Sequence, residues 1–174
     1  MKAIENKKFE RVKSILKNST EDKKKILKLN VKDGNYPLYW TISNNNIEIV
    51  QLLLKYANKH QIILELNEKN KDGYYPLIEA ISNNNIEIVK LLLEYANQHQ
   101  IILELNEKNK YGYYPLDWAF FKNNIKIVKL LLEYALQHQI ILEYDKYLIE
   151  KKPKIKNLFQ NYEKEIEKYK KVNK

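Results

Sequence analysis

DGYYPLIEAISNNNIEIVKLLLEYA, residues 72–96, recurs as DGNYPLYWTISNNNIEIVQLLLKYA at residues 33–57 and as YGYYPLDWAFFKNNIKIVKLLLEYA at residues 111–135. Pro37, Pro76 and Pro115 stand 39 residues apart, as do Gly34, Gly73 and Gly112. A fixed period in this range marks stacked supersecondary units, each burying its apolar face on its neighbours. Stacking leaves an extended surface for partners, so the architecture argues for binding rather than catalysis.

Within the middle copy, Lys71-Asp72-Gly73 reads as a turn, with Gly73 free to take positive φ, and Pro76 is a good first helical residue. The spacing predicts a short helix from Pro76 to about Asn83. The Asn83–Asn85 triplet breaks it as a turn. Ile86, Val89, Leu92, Leu93 and Ala96 then repeat with helical spacing, which predicts a second helix from near Ile86. The unit is two antiparallel helices joined by a turn.

These residues resemble the ankyrin repeat, with Gly73, Pro76, Leu77, Ala80, Ile88, Val89, Leu92 and Leu93 on family positions and the likeness covering about 33–144. The resemblance implies an all-α, ankyrin-type solenoid of stacked helix-turn-helix repeats with hairpin-like tips. Tyr36, Tyr75 and Tyr114 replace the usual Thr, and Tyr39, Ile78 and Asp117 the usual His. Ala57, Ala96 and Ala135 replace the glycine that normally ends the second helix, and the copy exceeds the usual ~33 residues. Without a left-handed stop, that helix is expected to run on to roughly His99, with Ile101–Leu105 packing back as an extended or irregular segment toward the next turn.

The expected organisation is one continuous domain: a degenerate capping repeat at 1–32, repeats at 33–71, 72–110 and 111–144, and a capping segment at 145–174. In the last, Ile155, Leu158, Phe159, Tyr162, Ile166 and Tyr169 form a helical stripe after Pro153. The net charge of +9 sits at the ends. Residues 1–32 hold 11 Lys/Arg against 4 Asp/Glu, residues 145–174 hold 10 against 5, and the middle holds 10 against 13. That distribution suits basic, soluble caps better than a nucleic-acid surface. No cysteine is present and no apolar run is long enough to cross a bilayer. An intracellular setting, cytoplasmic rather than nuclear, is expected, although Lys151-Lys152-Pro153-Lys154 has the form of a short import signal.

Chemistry finds little footing. His60, His99 and His138 occupy one repeat position. Helices pack about 8–10 Å apart, too far for successive rungs to share a zinc ion. A polar or capping role near the end of the second helix follows for them. The glycines form no phosphate loop, and Glu79 and Asp117 have no matched acidic partner. No catalytic residue, cofactor or metal is expected.

In ankyrin-like proteins the partner lies on the concave side, on the turn tips and the exposed edge of the first helix. Carried over by position, this points to Lys32, Asp33, Asn35, Ser43 and Asn44 in the first repeat, and Trp40, in register with Trp118, is expected to mark the other end of the same groove. It points to Lys71, Asp72, Tyr74, Ser82 and Asn83 in the second, and to Lys110, Tyr111, Tyr113, Phe121 and Lys122 in the third, with Trp118 in the adjoining helix where the second copy has Glu79. The third set is aromatic where the others hold Asp, Ser and Glu, which suits an interface hot spot. Two readings stay open: these aromatics bind a partner, or they pack on residues 145–174. The expectation is a monomeric protein–protein interaction module with an unidentified protein partner and no membrane. Polyanion binding through the basic ends is the alternative.

Overall fold

The computed structural model describes residues 36–172 together with Glu10, Lys13 and Ser14. Apart from those three, the expected N-terminal capping repeat lies outside the described residues, as do Lys32, Asp33, Gly34 and Asn35. Lys13 forms an ion pair with Glu48 at 2.6 Å.

Each copy forms a short helix and a longer one: α1 (Pro37–Ser43) and α2 (Ile47–Lys59), α3 (Pro76–Ser82) and α4 (Ile86–Gln98), α5 (Pro115–Phe121) and α6 (Ile125–Gln137). Two further helices follow, α7 (Lys146–Glu150) and α8 (Pro153–Val172). The short helices stack as one layer, α1 on α3 on α5 on α7, and the long ones as the other, α2 on α4 on α6 on α8. The described residues contain no strand.

Local chemistry sets the helix ends. Proline opens each short helix, where its missing N–H costs nothing and its fixed φ suits the first turn. The asparagine triplet divides three tasks. Asn44 ends α1, Asn45 takes φ +55°, and the Asn46 side chain accepts the Ile49 N–H at the start of α2. Asparagine tolerates the left-handed region and is a strong N-cap, so three identical residues serve three positions.

The long helices end near His60, His99 and His138, where the sequence places them, but for a different reason. A left-handed stop is present. Gln61, Gln100 and Gln139 adopt φ +56°, +56° and +58°. The Ile62 N–H reaches back to the Ala57 carbonyl at 2.9 Å and the Gln61 N–H to Asn58 at 3.3 Å, a Schellman closure repeated in both later copies. The expectation that the helix lacks such a stop is therefore corrected: glutamine occupies the glycine's conformation, and the alanines lie one turn earlier.

The core repeats with the sequence. Leu38, Leu77 and Leu116 from the short helices meet Ile49, Val50, Ile88, Val89, Ile127 and Val128 from the long ones, all 0–1% exposed. Burying one such side chain contributes roughly 1.5–3 kcal/mol. Polar ladders then join copy to copy. Tyr95 donates to the Ile62 carbonyl at 3.1 Å and accepts the Leu64 N–H at 3.3 Å, and Tyr134 does the same to Ile101 and Leu103. The Asn67 amide holds the Ile102 carbonyl at 2.8 Å and the Glu104 N–H at 3.2 Å, and Asn106 holds Ile141 and Glu143. His99 Nε2 lies 2.7 Å from Asn58 Oδ1, and His138 Nε2 the same distance from Asn97. Each histidine also packs its ring on the tyrosine four residues earlier, at 4.2–4.3 Å. All three histidines thus stand at the helix ends, and His99 and His138 carry the polar role read from the sequence, whereas His60 Nε2 is buried without a hydrogen-bond partner among the described residues.

At the C-terminal end, Ile155, Phe159, Tyr162 and Ile166 turn inward from α8. Helix α7 interrupts the stretch in which the repeat pattern lapses; Asp145 caps it by accepting the Tyr147 N–H at 2.9 Å.

Candidate protein-binding surface

The short-helix layer and the tips preceding it carry the candidate residues. In the tip before α3, the Asn70 side chain accepts the N–H groups of Asp72 and Tyr74, both at 2.9 Å, and the Asn70 N–H bonds the Tyr74 carbonyl. Asn109 does the same for Tyr111 and Tyr113 before α5. The tips touch. The Lys110 N–H donates to the Asp72 carbonyl at 3.0 Å, and the Lys110 ammonium pairs with the Asp72 carboxylate and stands 5.0 Å from the Tyr111 ring centre. Gly73 allows this approach: a Cβ there would lie 2.9 Å from the Asn109 Cα.

Four of the expected residues come together. Tyr113 and Phe121 meet edge-to-face at 5.0 Å, Trp118 and Phe121 at 5.9 Å, and Tyr113 and Trp118 at 6.1 Å. Tyr74 from the second repeat joins through Trp118 at 5.9 Å. Phe121 is 44% and Tyr113 40% exposed, so these two open the group to solvent, while Tyr74 and Trp118 are half-buried and the Trp118 indole N–H is buried without a hydrogen-bond partner among the described residues. It is the neighbouring Phe120 that turns inward and meets Phe159 of α8 at 5.6 Å.

The remaining candidates lie around this group or apart from it. Tyr111, Lys71 and Lys122 are exposed, and Ser82 is partly so. The Asn83 amide spans to the Ile42 carbonyl at 3.0 Å, tying the second copy to the first. Asn44 bonds the Trp40 carbonyl at 2.8 Å, beside the exposed Ser43. Trp40 sits in α1, two copies from Trp118, with Glu79 at the intervening position, so the two indoles do not form one cluster. Glu79 itself accepts the Tyr39 hydroxyl at 3.0 Å.

The tyrosines at the short-helix starts are structural. Tyr36 and Tyr75 are buried and donate to the carbonyls of Glu68 and Glu104, while Tyr114 donates to the Glu143 carboxylate at 2.6 Å. Asp117, in place of the usual His, is buried and accepts the Tyr114 N–H at 2.9 Å and the Asp145 N–H at 3.3 Å. Burial raises its carboxyl above the ordinary value of 3.8, against the pull of those two donors.

Sequence reasoning passed over Lys126 and gave Lys151–Lys154 a different meaning. The signal for Lys126 lay in the alignment of copies, since Glu48 and Glu87 hold that position earlier. The Lys152 ammonium bonds the Phe120 carbonyl and, at 3.3 Å, Asn123 Oδ1, which seats the α7–α8 turn against the α5–α6 turn. An open groove of about 550 Å³ beside α8, bordered by Ile141, Tyr162 and Ile166, holds none of the candidate residues.

Two layers of paired helices, polar ladders between copies and tips aligned along one edge define a repeat solenoid. The chain belongs to the ankyrin-repeat family: a family model described as Ankyrin repeats (3 copies) matches residues 1–101 and 58–143. No curated protein matched the chain. Ankyrin repeats are in general protein–protein interaction modules and typically non-enzymatic scaffolds. Among the described residues, no helix is long and apolar enough to cross a membrane.

Proposed function

We propose that this protein binds a protein partner on its concave face, formed by the short-helix layer and the turn tips, with the third repeat as the centre of contact. The observation that carries the reading is the cluster of Tyr74, Tyr113, Trp118 and Phe121, exposed at Tyr113 and Phe121 and packed on one another rather than on α8. Rigid aromatic groups of this kind supply most of the energy at interfaces because they bury large area with few rotors. Trp40, Lys71, Asp72, Ser82, Asn83, Lys110, Tyr111 and Lys122 form the surrounding surface. The module acts as an intracellular monomer. The comparisons give no support to polyanion binding through the basic ends.

The test is capture from a lysate of the source cells at about physiological salt, followed by titration of the retained protein against three baits of equal helicity. Wild type and an Ile102→Ser control, altered on the exposed extended segment, should bind alike. Tyr113→Ala combined with Phe121→Ser should weaken binding about tenfold or more. Equal binding by all three baits overturns the reading.

A further inference from the structure

We propose that the third-repeat end of this face selects an acidic peptide segment bearing an aromatic or aliphatic anchor, an inference that rests on the concave-face reading above. The three copies share one backbone design, so differences between equivalent positions isolate what the third has acquired. Ser43 and Ser82 become Phe121, Asn44 and Asn83 become Lys122, and Glu48 and Glu87 become Lys126. A polar edge with one carboxylate per copy has turned into an aromatic edge with two ammonium groups.

The α7–α8 turn adds to that charge. With Lys152 fastened to Phe120 and Asn123, Lys151 and Lys154 are carried to the same end of the molecule, and both are exposed. Among the described residues, no carboxylate forms an ion pair with Lys122, Lys126, Lys151 or Lys154, nor with Lys71 at the far side of the aromatic group. Three acids of this region are already engaged: Asp72 by Lys110, Glu79 by the Tyr39 hydroxyl, Glu150 by Lys156. The Lys151 ammonium stands 4.3 Å over the Tyr147 ring; cations without a carboxylate around an apolar centre call for a partner that brings carboxylates to the rim and an apolar side chain to the middle.

The ring geometry favours peptide over single-stranded nucleic acid. Bases stack on free aromatic faces. Here Tyr113, Trp118 and Phe121 meet at interplanar angles of 75–90° and so occupy one another's faces.

The experiment is selection of a random library of phage-displayed peptides, each about 16 residues long, on the full chain at about 150 mM salt, with counter-selection on Phe121→Ser. Enriched sequences should pair an aromatic or leucine residue with flanking Asp and Glu. A synthetic peptide of the enriched sequence should bind Lys122→Asn/Lys126→Glu about tenfold more weakly than wild type. Those substitutions write the earlier copies' residues into the third, so the fold is kept, as equal helicity and unfolding midpoint would verify. Enriched peptides that need Phe121 but are neutral or basic, with affinity unchanged in the lysine variant, overturn the acidic inference and leave the concave reading standing. No enrichment, or enrichment indifferent to Phe121→Ser, overturns both. Binding of an oligothymidylate of about 20 nucleotides as tightly as the peptide, with the same sensitivity to variants, makes the surface a nucleic-acid site and overturns the inference.

Discussion

The Tyr162 hydroxyl accepts the Leu142 N–H at 2.9 Å and donates to the Ile140 carbonyl at 2.7 Å, reproducing from α8 the bonds that Tyr134 makes to Leu103 and Ile101 one copy earlier. The divergent C-terminal helix thus performs the joining task of a regular long helix. Tyr162→Phe removes both bonds and leaves a buried N–H without its partner, which should cost about 1–3 kcal/mol. Urea unfolding of the variant measures it. A loss below about 0.5 kcal/mol would mean that the joint contributes little.

Gly73 and Gly112 both have positive φ, +77° and +83°, yet their surroundings differ. A Cβ at 73 would meet the backbone of Asn109, whereas one at 112 would meet nothing within 4 Å. Gly112→Ala should cost about 1–2 kcal/mol from backbone strain alone. Gly73→Ala should cost more, because the tips must part as well. Unfolding free energies in the reverse order would contradict the stacking of the tips.

Left-handed positions in the two turns hold different residues, Asn84 and Gln100, each at φ +56°. Asparagine bears this conformation at lower cost than glutamine. Gln100→Gly should therefore stabilise the protein by up to about 1 kcal/mol, net of glycine's greater unfolded-state entropy. Asn84→Gly should be closer to neutral. Thermal unfolding of the pair provides the comparison.

Adjacent residues on α5 face opposite ways, Phe120 at 0% and Phe121 at 44% exposure. Phe120→Ala should cost about 3–5 kcal/mol by opening a cavity next to Phe159. Phe121→Ser should cost about 1 kcal/mol or less. A large destabilisation from Phe121→Ser would assign the outer aromatics to the fold.

Burial lifts the phenols of Tyr36, Tyr75, Tyr95, Tyr134 and Tyr162 above the ordinary value of 10.0. The unfolded chain releases these protons near pH 10, and the folded protein keeps them. Above pH 10 the folded state therefore binds more protons, and stability falls as pH rises toward the folded values. Each such tyrosine contributes up to about 1.4 kcal/mol per pH unit to the decline. Urea midpoints should be flat in this respect below about pH 9 and drop steeply above pH 10, less so in Tyr95→Phe than in wild type.

Most of the fold is legible because the copies corroborate one another. Pro76 and Ile86 mark helix starts that recur at fixed spacing, and Ile155, Phe159, Tyr162 and Ile166 show their inward stripe without any repeat. Helix α7 escapes because five residues carry too little periodicity to register. The glutamine stop escapes because Gln100 has no chemical preference for positive φ, and only the Schellman bonds around it impose that conformation. In the candidate site, the aromatic character of the third repeat is plain from the alignment, but the opposed fates of Phe120 and Phe121 depend on helix phase and on where α8 lies.

The sequence by itself determined the period, the paired helices, the apolar core positions and the charge at the ends, because each follows from residue type at fixed spacing. Only the tertiary structure decided which polar groups join the copies, which aromatics remain in solvent, and that Lys152 brings the α7–α8 turn to the third repeat. Those outcomes rest on contacts between residues about 30–40 positions apart, whose geometry no local pattern encodes.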